Sequence, residues 1–306
     1  MYSRTLAEAA RFGKKDDVIK YLGMKVDVDA MDEWGYIPLQ IAAQLGYLDI
    51  VKILLEHGAK VDVEDKEGST PLISAAKNMN NENRIEIFNI LLSYKCNVNH
   101  ENKDKVTALL HVAALGDVAC VNLLLDQKAD IHHRDCWGAN TLHWAATCGQ
   151  AEVVKVLLER GASINEREAQ YHTTPLISAT NNGHSNVVKV LLQYKANVNL
   201  DNKFGSTALI TAAYREEVAI AKMLLENKAD VQSVNFQGEN ALSNAANNGN
   251  KDMVSLLLEH KADPSVALTK TVDKKNHDIV DILEQAIREK ENKKLGLEGK
   301  STIRPK

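Results

Sequence analysis

The chain has little of what several common kinds of protein are built from. Aromatic side chains make up only 5% of its 306 residues, so any core must come from aliphatic side chains and alanine. Cysteine occurs four times, at Cys96, Cys120, Cys136 and Cys148, with no C-x-x-C pair. That is no disulfide framework for a chain of this length, and a reducing compartment, cytoplasm or nucleus, is expected. Positive charge is not in excess: 37 Lys and Arg stand against 41 Asp and Glu, a net charge of -4. Phosphate-neutralising proteins carry a clustered basic surplus, so neither nucleic acid nor a membrane surface is the expected partner. No apolar run approaches the ~20 residues that span a bilayer. The opening MYSRTLAEAARFGKKDD lacks the apolar centre of a secretory leader. Signatures of a P-loop, G-x-S-x-G, H-E-x-x-H and G-x-G-x-x-G are all missing, so no enzymatic activity and no cofactor are expected.

What is present is a repeat. TPLISAAKN from Thr70, TALLHVAALG from Thr107, NTLHWAATCG from Asn140 and TPLISATNNG from Thr174 share one frame, as do TALITAAYRE from Thr207 and NALSNAANNG from Asn240. Leu39, Leu72, Leu109, Leu142, Leu176, Leu209 and Leu242 are spaced by 33, 37, 33, 34, 33 and 33 residues. A second leucine pair follows at Leu54, Leu124, Leu157, Leu191, Leu224 and Leu257, and its counterpart Leu91 is displaced by the insertion NMNNEN. Such periodicity replaces a two-domain estimate from length with a single array. Each unit reads as turn, helix, helix and loop. Thr70 and Thr174 suit an N-cap, with Pro71 and Pro175 at the first helical position. Val153, Val154, Leu157 and Leu158 share a helical face, and Gly161 suits a left-handed helix end. One unit cannot bury its apolar face alone, so the units must stack.

These motifs resemble the ankyrin repeats. Asp32-Gly35, Asp135-Gly138, His143, Gly149, Gly161-Ala162 and Gly183-His184 match the family pattern. Its histidine position holds Gln40, Ile73, Leu110, Ile177, Ile210 and Ser243 in the other units. The resemblance implies an all-α solenoid of helix-turn-helix units with short β-hairpin loops. It divides the chain into an N-terminal capping repeat at 1–29, seven internal repeats at 30–264, a C-terminal capping repeat at 265–288 and a basic disordered tail at 289–306. At the family's glycine position after the second helix, Lys95, Lys128, Lys195, Lys228 and Lys261 stand beside Gly58 and Gly161.

In this family partners lie along the concave surface made by hairpin tips and first helices. Carried over unit by unit, that surface begins with Glu33, Trp34, Tyr36, Gln44 and Leu45, then Glu67, Lys77 and Asn78. It continues with Asp104, then Cys136, Trp137, Thr147 and Cys148, then Tyr171, Asn181 and Asn182. Phe204, Tyr214 and Arg215 follow, and Phe236, Asn247 and Asn248 close it. Trp137, Tyr171 and Phe204 fall at successive tips, where aromatics are suited to anchor a partner; Trp144 reads as interior. Acid gathers in the first hairpins, at Asp27, Asp29, Asp32, Glu33, Asp62, Glu64, Asp65 and Glu67, and a field of one sign steers a basic peptide. Asn99, Asn165 and Asn199 each follow a leucine by eight residues, which resembles the target of an asparaginyl hydroxylase. His132, His133, Cys136 and Cys148 could converge on zinc, but their irregular spacing favours hairpin histidines and surface thiols, so no metal is expected. The expectation is a monomeric, non-catalytic scaffold, adaptor or sequestering inhibitor that binds a protein or peptide. The alternative is an effector or regulatory subunit that modulates a target enzyme or host protein.

Overall fold

The first helix of nearly every pair begins with one device. The hydroxyls of Thr70, Thr107, Thr174 and Thr207 accept from the backbone N–H three residues on, at 3.3–3.5 Å, which satisfies a donor that the helix itself cannot. Asn140 and Asn240 cap in the same way, and His143 and Ser243 reach back to the cap's own N–H. The motif histidine is thus one of several solutions. Gln40 instead donates to the carbonyls of Val63 and Ser69, tying its helix to the next hairpin.

The computed structural model describes residues 5–78, 82–270 and 277–294, and in it helices follow one another in pairs. They are α1 (Leu6–Arg11) and α2 (Lys15–Gly23), α3 (Pro38–Leu45) and α4 (Leu48–Glu56), α5 (Pro71–Lys77) and α6 (Arg84–Ser93). Next come α7 (Ala108–Leu115) and α8 (Val118–Asp126), then α9 (Thr141–Thr147) and α10 (Ala151–Glu159). After these come α11 (Pro175–Asn181) and α12 (Ser185–Gln193), α13 (Ala208–Tyr214) and α14 (Val218–Glu226), α15 (Ala241–Asn248) and α16 (Lys251–Glu259), and α17 (Pro264–Lys270) and α18 (His277–Lys294). The contacts fall into two compact units. The first holds residues up to 164 with 168–170, and so α1 to α10; the second holds 165–167 and the chain from 171, and so α11 to α18. The division lies in the hairpin loop that carries the one extra residue of the 34-residue spacing.

In the first unit the first helices α1, α3, α5, α7 and α9 pack in a row and the second helices α2, α4, α6, α8 and α10 in another. Leu39, Leu72, Leu109 and Leu142 are wholly buried between the rows, and the alanine pairs 42–43, 75–76 and 145–146 are fully covered. Small side chains there let neighbouring helices approach closely. The second unit repeats this with Leu176, Leu209 and Leu242 and the alanine pairs 212–213 and 245–246. Phe88 is the one phenylalanine in the core of the described residues.

Burial differs between the outermost helix pairs and the internal ones. In α4, Ile50, Val51, Leu54 and Leu55 are all buried between neighbours. In α2 only Val18 and Leu22 are buried; the positions matching Ile50 and Leu54 are Asp17 and Tyr21. In α18 Ile279 and Leu283 are buried, while Glu284 takes an outward position that Leu258 fills in α16. The boundary drawn at 288 falls inside α18, which runs to Lys294. Its last turns are charged and helix-favouring, with Arg288 paired to Glu284 at 3.2 Å and Gln285 bonded to Glu289 at 3.0 Å. Residues 295–306 of the expected tail, and residues 79–81 of the insertion, lie outside the described residues. Around that insertion, buried Arg84 pairs with Asp117 at 2.5 Å and donates to the carbonyls of Ala75 and Asn78.

Candidate partner-binding face

The hairpin tips are shaped by a side chain acting on the backbone. Asp135 Oδ1 accepts from the N–H groups of Trp137 and Ala139, both at 2.9 Å. Asp32, Asp65, Asn102, Asn202 and Asn235 make the same two bonds at their own tips. This bridging turn, the habit of Asp and Asn, turns the intervening residues outward. Strand structure is minimal among the described residues: single bridges join Arg134 to Asn140, Asp201 to Thr207 and Val234 to Asn240. The glycine that follows is required at Gly138, where φ is +79° and a Cβ would lie 2.7 Å from the Ala169 nitrogen. Lys105 and His172 occupy the equivalent place with φ of 57° and 56°.

One backbone bond then links tip to tip. In the first unit Lys103 donates to Glu67 at 3.1 Å, Cys136 to Asp104 at 3.0 Å and Ala169 to Trp137 at 3.0 Å. In the second, Lys203 donates to Tyr171 at 2.9 Å and Phe236 to Phe204 at 3.0 Å. Side chains at the tips are thereby set in register.

In the first unit the surface named from sequence is accessible throughout. Glu33, Trp34, Tyr36, Leu45, Glu67, Asp104, Cys136, Trp137, Thr147 and Cys148 are exposed; Gln44, Lys77 and Asn78 are half-buried. Trp34 and Tyr36 share the guanidinium of Arg11, 5.1 and 5.5 Å from their ring centroids. Lys77 donates to Ser69 and Asn78 to the carbonyl of Gln44, both at 2.8 Å. Trp144 is half-buried on the face rather than interior, with its indole N–H given to Asp135 at 2.8 Å. The His111 ring packs edge-on against it at 5.8 Å. Burial, and then the charge of Lys77, pull the His111 pKa down to about 4.

In the second unit Tyr171, Asn181, Asn182, Phe204, Tyr214, Arg215, Phe236, Asn247 and Asn248 are all exposed. The Tyr171 and Phe204 rings lie 6.3 Å apart, with the Lys203 ammonium 4.1 and 5.3 Å from their centroids. Trp137, the third member of the expected aromatic row, belongs to the first unit. Arg215 lies over Tyr214 and donates to Asn181 at 3.0 Å. Between these residues opens a cavity of about 490 Å³, with Phe204 and Tyr214 as walls and Asn181, Asn202, Thr211, Asn235 and Asn244 among its polar lining. Sequence reasoning passed over Thr211 and Asn244. The signal was there: each precedes a chosen residue, Tyr214 or Asn247, by three positions and so shares its helical face.

Other expected features fall differently. Among the described residues no three His, Cys, Asp or Glu side chains gather as metal ligands. His133 puts a ring nitrogen 2.7 Å from the carbonyl of Lys105, and His100 does the same 3.0 Å from that of Gly68, so hairpin histidines tie adjacent tips. Desolvation raises the thiol pKa of Cys136 and Cys148, with Asp104 and Asp135 adding to it at Cys136, which leaves both protonated at neutral pH. Much of the acidic run is engaged by backbone N–H groups: Asp27 by Asp29, Asp29 by Lys60, Asp62 by Asn97, besides Asp32 and Asp65. Glu33, Glu64 and Glu67 are its exposed members with no such bond. Asn99 and Asn199 accept from the N–H of Asp130 and Asp230 at 2.8 Å, and Asn165 from that of Asn197 at 2.9 Å. All three asparagines are exposed, yet each is tied to the following repeat.

Stacked helix pairs with side chains presented on linked tips define a repeat-built helical protein. The sequence comparisons give its family. The family model for ankyrin repeats in three copies matches residues 6–102, 79–168 and 166–235, and the single ankyrin repeat matches 237–269. The chain belongs to the ankyrin repeat family. It is 34% identical over 110 residues to an ankyrin repeat-containing protein of Schizosaccharomyces pombe, covering 36% of this chain and 50% of that one. It is 41% identical over 90 residues to human BCL-6 corepressor-like protein 1, covering 29% of this chain and 5% of the relative. The chain thus spans half or less of the curated relatives it matches. The crystal structure of the human ASB11 ankyrin repeat domain is similar with a TM-score of 0.65 at 26% identity, over 74% of this chain and 98% of that one. No described helix is long and apolar enough to cross a membrane.

Proposed function

We propose that the protein is a non-catalytic interaction module, a scaffold, adaptor or sequestering inhibitor of the cytoplasm or nucleus, that binds a protein partner on the face of tips and first helices. The observation that carries this reading is the set of large side chains held outward at ordered tips and at the end of a first helix. Phe204, Tyr214 and Phe236 are 44%, 62% and 76% exposed, and Trp137 is 48% exposed, although nothing in the core requires them there. Aromatic anchors of this kind dominate binding energy where they become desolvated. The second helices offer charged and amide side chains instead, such as Glu159 and Gln193. Site-specific photo-crosslinking tests the reading. A benzophenone side chain at position 137, 204 or 214 is expected to capture a discrete partner from the native cell, and one at 159 or 193 is not. Capture from 159 and 193 alone would place the interface on the opposite side.

A further inference from the structure

Asn244 points to the chemistry of the ligand in the second unit, given that the tip-and-helix face is the binding surface. It is 7% exposed and lines the cavity between Phe204 and Tyr214. Its side chain makes one hydrogen bond, donated by Nδ2 to the carbonyl of the N-cap residue Asn240 at 3.3 Å. That bond fixes the amide, so Oδ1 is an acceptor with no protein partner. Oδ1 is not sealed from solvent; it opens into the cavity, where an arriving donor can take the place of water. Asn202 presents the opposite case. Its Oδ1 takes two backbone N–H groups at 2.9 and 3.0 Å, which turns Nδ2 into a donor without a partner. Asn181 is fixed likewise, its Oδ1 held by Arg215 at 3.0 Å. One fixed acceptor and two fixed donors thus converge on a single groove.

We infer that this groove binds an extended polypeptide segment, with a main-chain N–H donated to Asn244, main-chain carbonyls accepting from Asn202 and Asn181, and one aromatic or large aliphatic side chain set between Phe204 and Tyr214. A peptide backbone offers one donor and one acceptor at every residue, which is the pattern the groove complements. Cations lie beside both walls: Lys203 is 5.3 Å from the Phe204 centroid and Arg215 5.8 Å from that of Tyr214. The same two cations favour an acidic residue beside the apolar one.

The test uses the full chain and a displayed library of unstructured ten-residue peptides. Selected peptides are expected to share an aromatic or large aliphatic residue with an acidic neighbour, and to lose affinity for Tyr214→Ala. N-methylation of the peptide amide facing Asn244 should weaken binding about tenfold, the worth of one hydrogen bond to a desolvated acceptor. Asn244→Leu should weaken the unmodified peptide by a similar factor and make N-methylation harmless, a coupling that simple damage to the fold would not produce. Equal losses on methylation in both proteins would overturn the assignment of the acceptor. Selection of no peptide over the Tyr214→Ala control, or an oligosaccharide bound in place of a peptide on a glycan array, would overturn the ligand class. Either failure leaves the broader reading standing if crosslinks from positions 204 and 214 still capture a folded partner.

Discussion

Lysine at a left-handed position is the residue-scale peculiarity of this chain. Lys95, Lys128, Lys195, Lys228 and Lys261 have φ of 60–67°, where Gly58 and Gly161 stand in other repeats at 87° and 93°. A Cβ at positive φ costs about 1 kcal/mol, and the added freedom of an unfolded glycine takes back part of any relief. Lys195→Gly is therefore expected to raise stability by about 0.5 kcal/mol in urea unfolding, while Lys155→Gly, inside α10, lowers it by about 1 kcal/mol. A destabilised Lys195→Gly protein would contradict the account of that helix end. His111 is the second case. Its folded pKa of about 4 lies below the usual 6.5, so between those values the unfolded chain binds the proton and the native one does not. Stability must then fall as pH drops through that window, by about 2 kcal/mol at pH 5. Unfolding of the native protein and His111→Leu at pH 7 and pH 5 checks this, since the variant should lose that part of the slope.

Single elements show what was legible in the sequence. The recurring leucine spacing, with Thr-Pro starts at Thr70 and Thr174, disclosed the seven internal helix pairs, because burial and capping act on neighbours along the chain. The tip aromatics were legible for the same reason. The acidic run was legible as charge but not as structure, since Asp29 and Asp62 accept from backbone N–H groups of the next repeat, 31 and 35 residues away. The groove was half legible: Tyr214 and Asn181 stood out, but the fixing of Asn244 and Asn202 depends on bonds that only the folded turn creates. Arg84 was not singled out at all. At 7% exposure it joins α5, Asn78 at the start of the insertion and the N-terminus of α8. Removing one member of a buried charged pair costs more than the pair contributes, because the other is left unmet. Arg84→Ala should therefore cost about 3 kcal/mol in urea unfolding, and Asp117→Asn, at the more exposed end, clearly less. Equal, small effects would mean that the insertion is not anchored there.

At the scale of the whole molecule, we propose that polar residues at the outward positions of the first helix pair act as a cap. Asp17 and Tyr21 stand where Ile50 and Leu54 are buried in α4, and a repeat with an apolar outer face would stack on another. Asp17→Ile combined with Tyr21→Leu should make the protein self-associate in light scattering, with its helical circular dichroism unchanged; a protein that stays dispersed would show that these positions do not cap.

Whether a partner is held by the tips and first helices is decided by paired alanine variants. Trp137→Ala with Phe204→Ala should abolish affinity capture of the partner while helicity and melting cooperativity persist, since truncating such anchors costs about 2 kcal/mol or more each. Glu159→Ala with Gln193→Ala should leave capture intact. Retention of the partner by the first pair and its loss from the second would contradict the account and assign binding to the second helices.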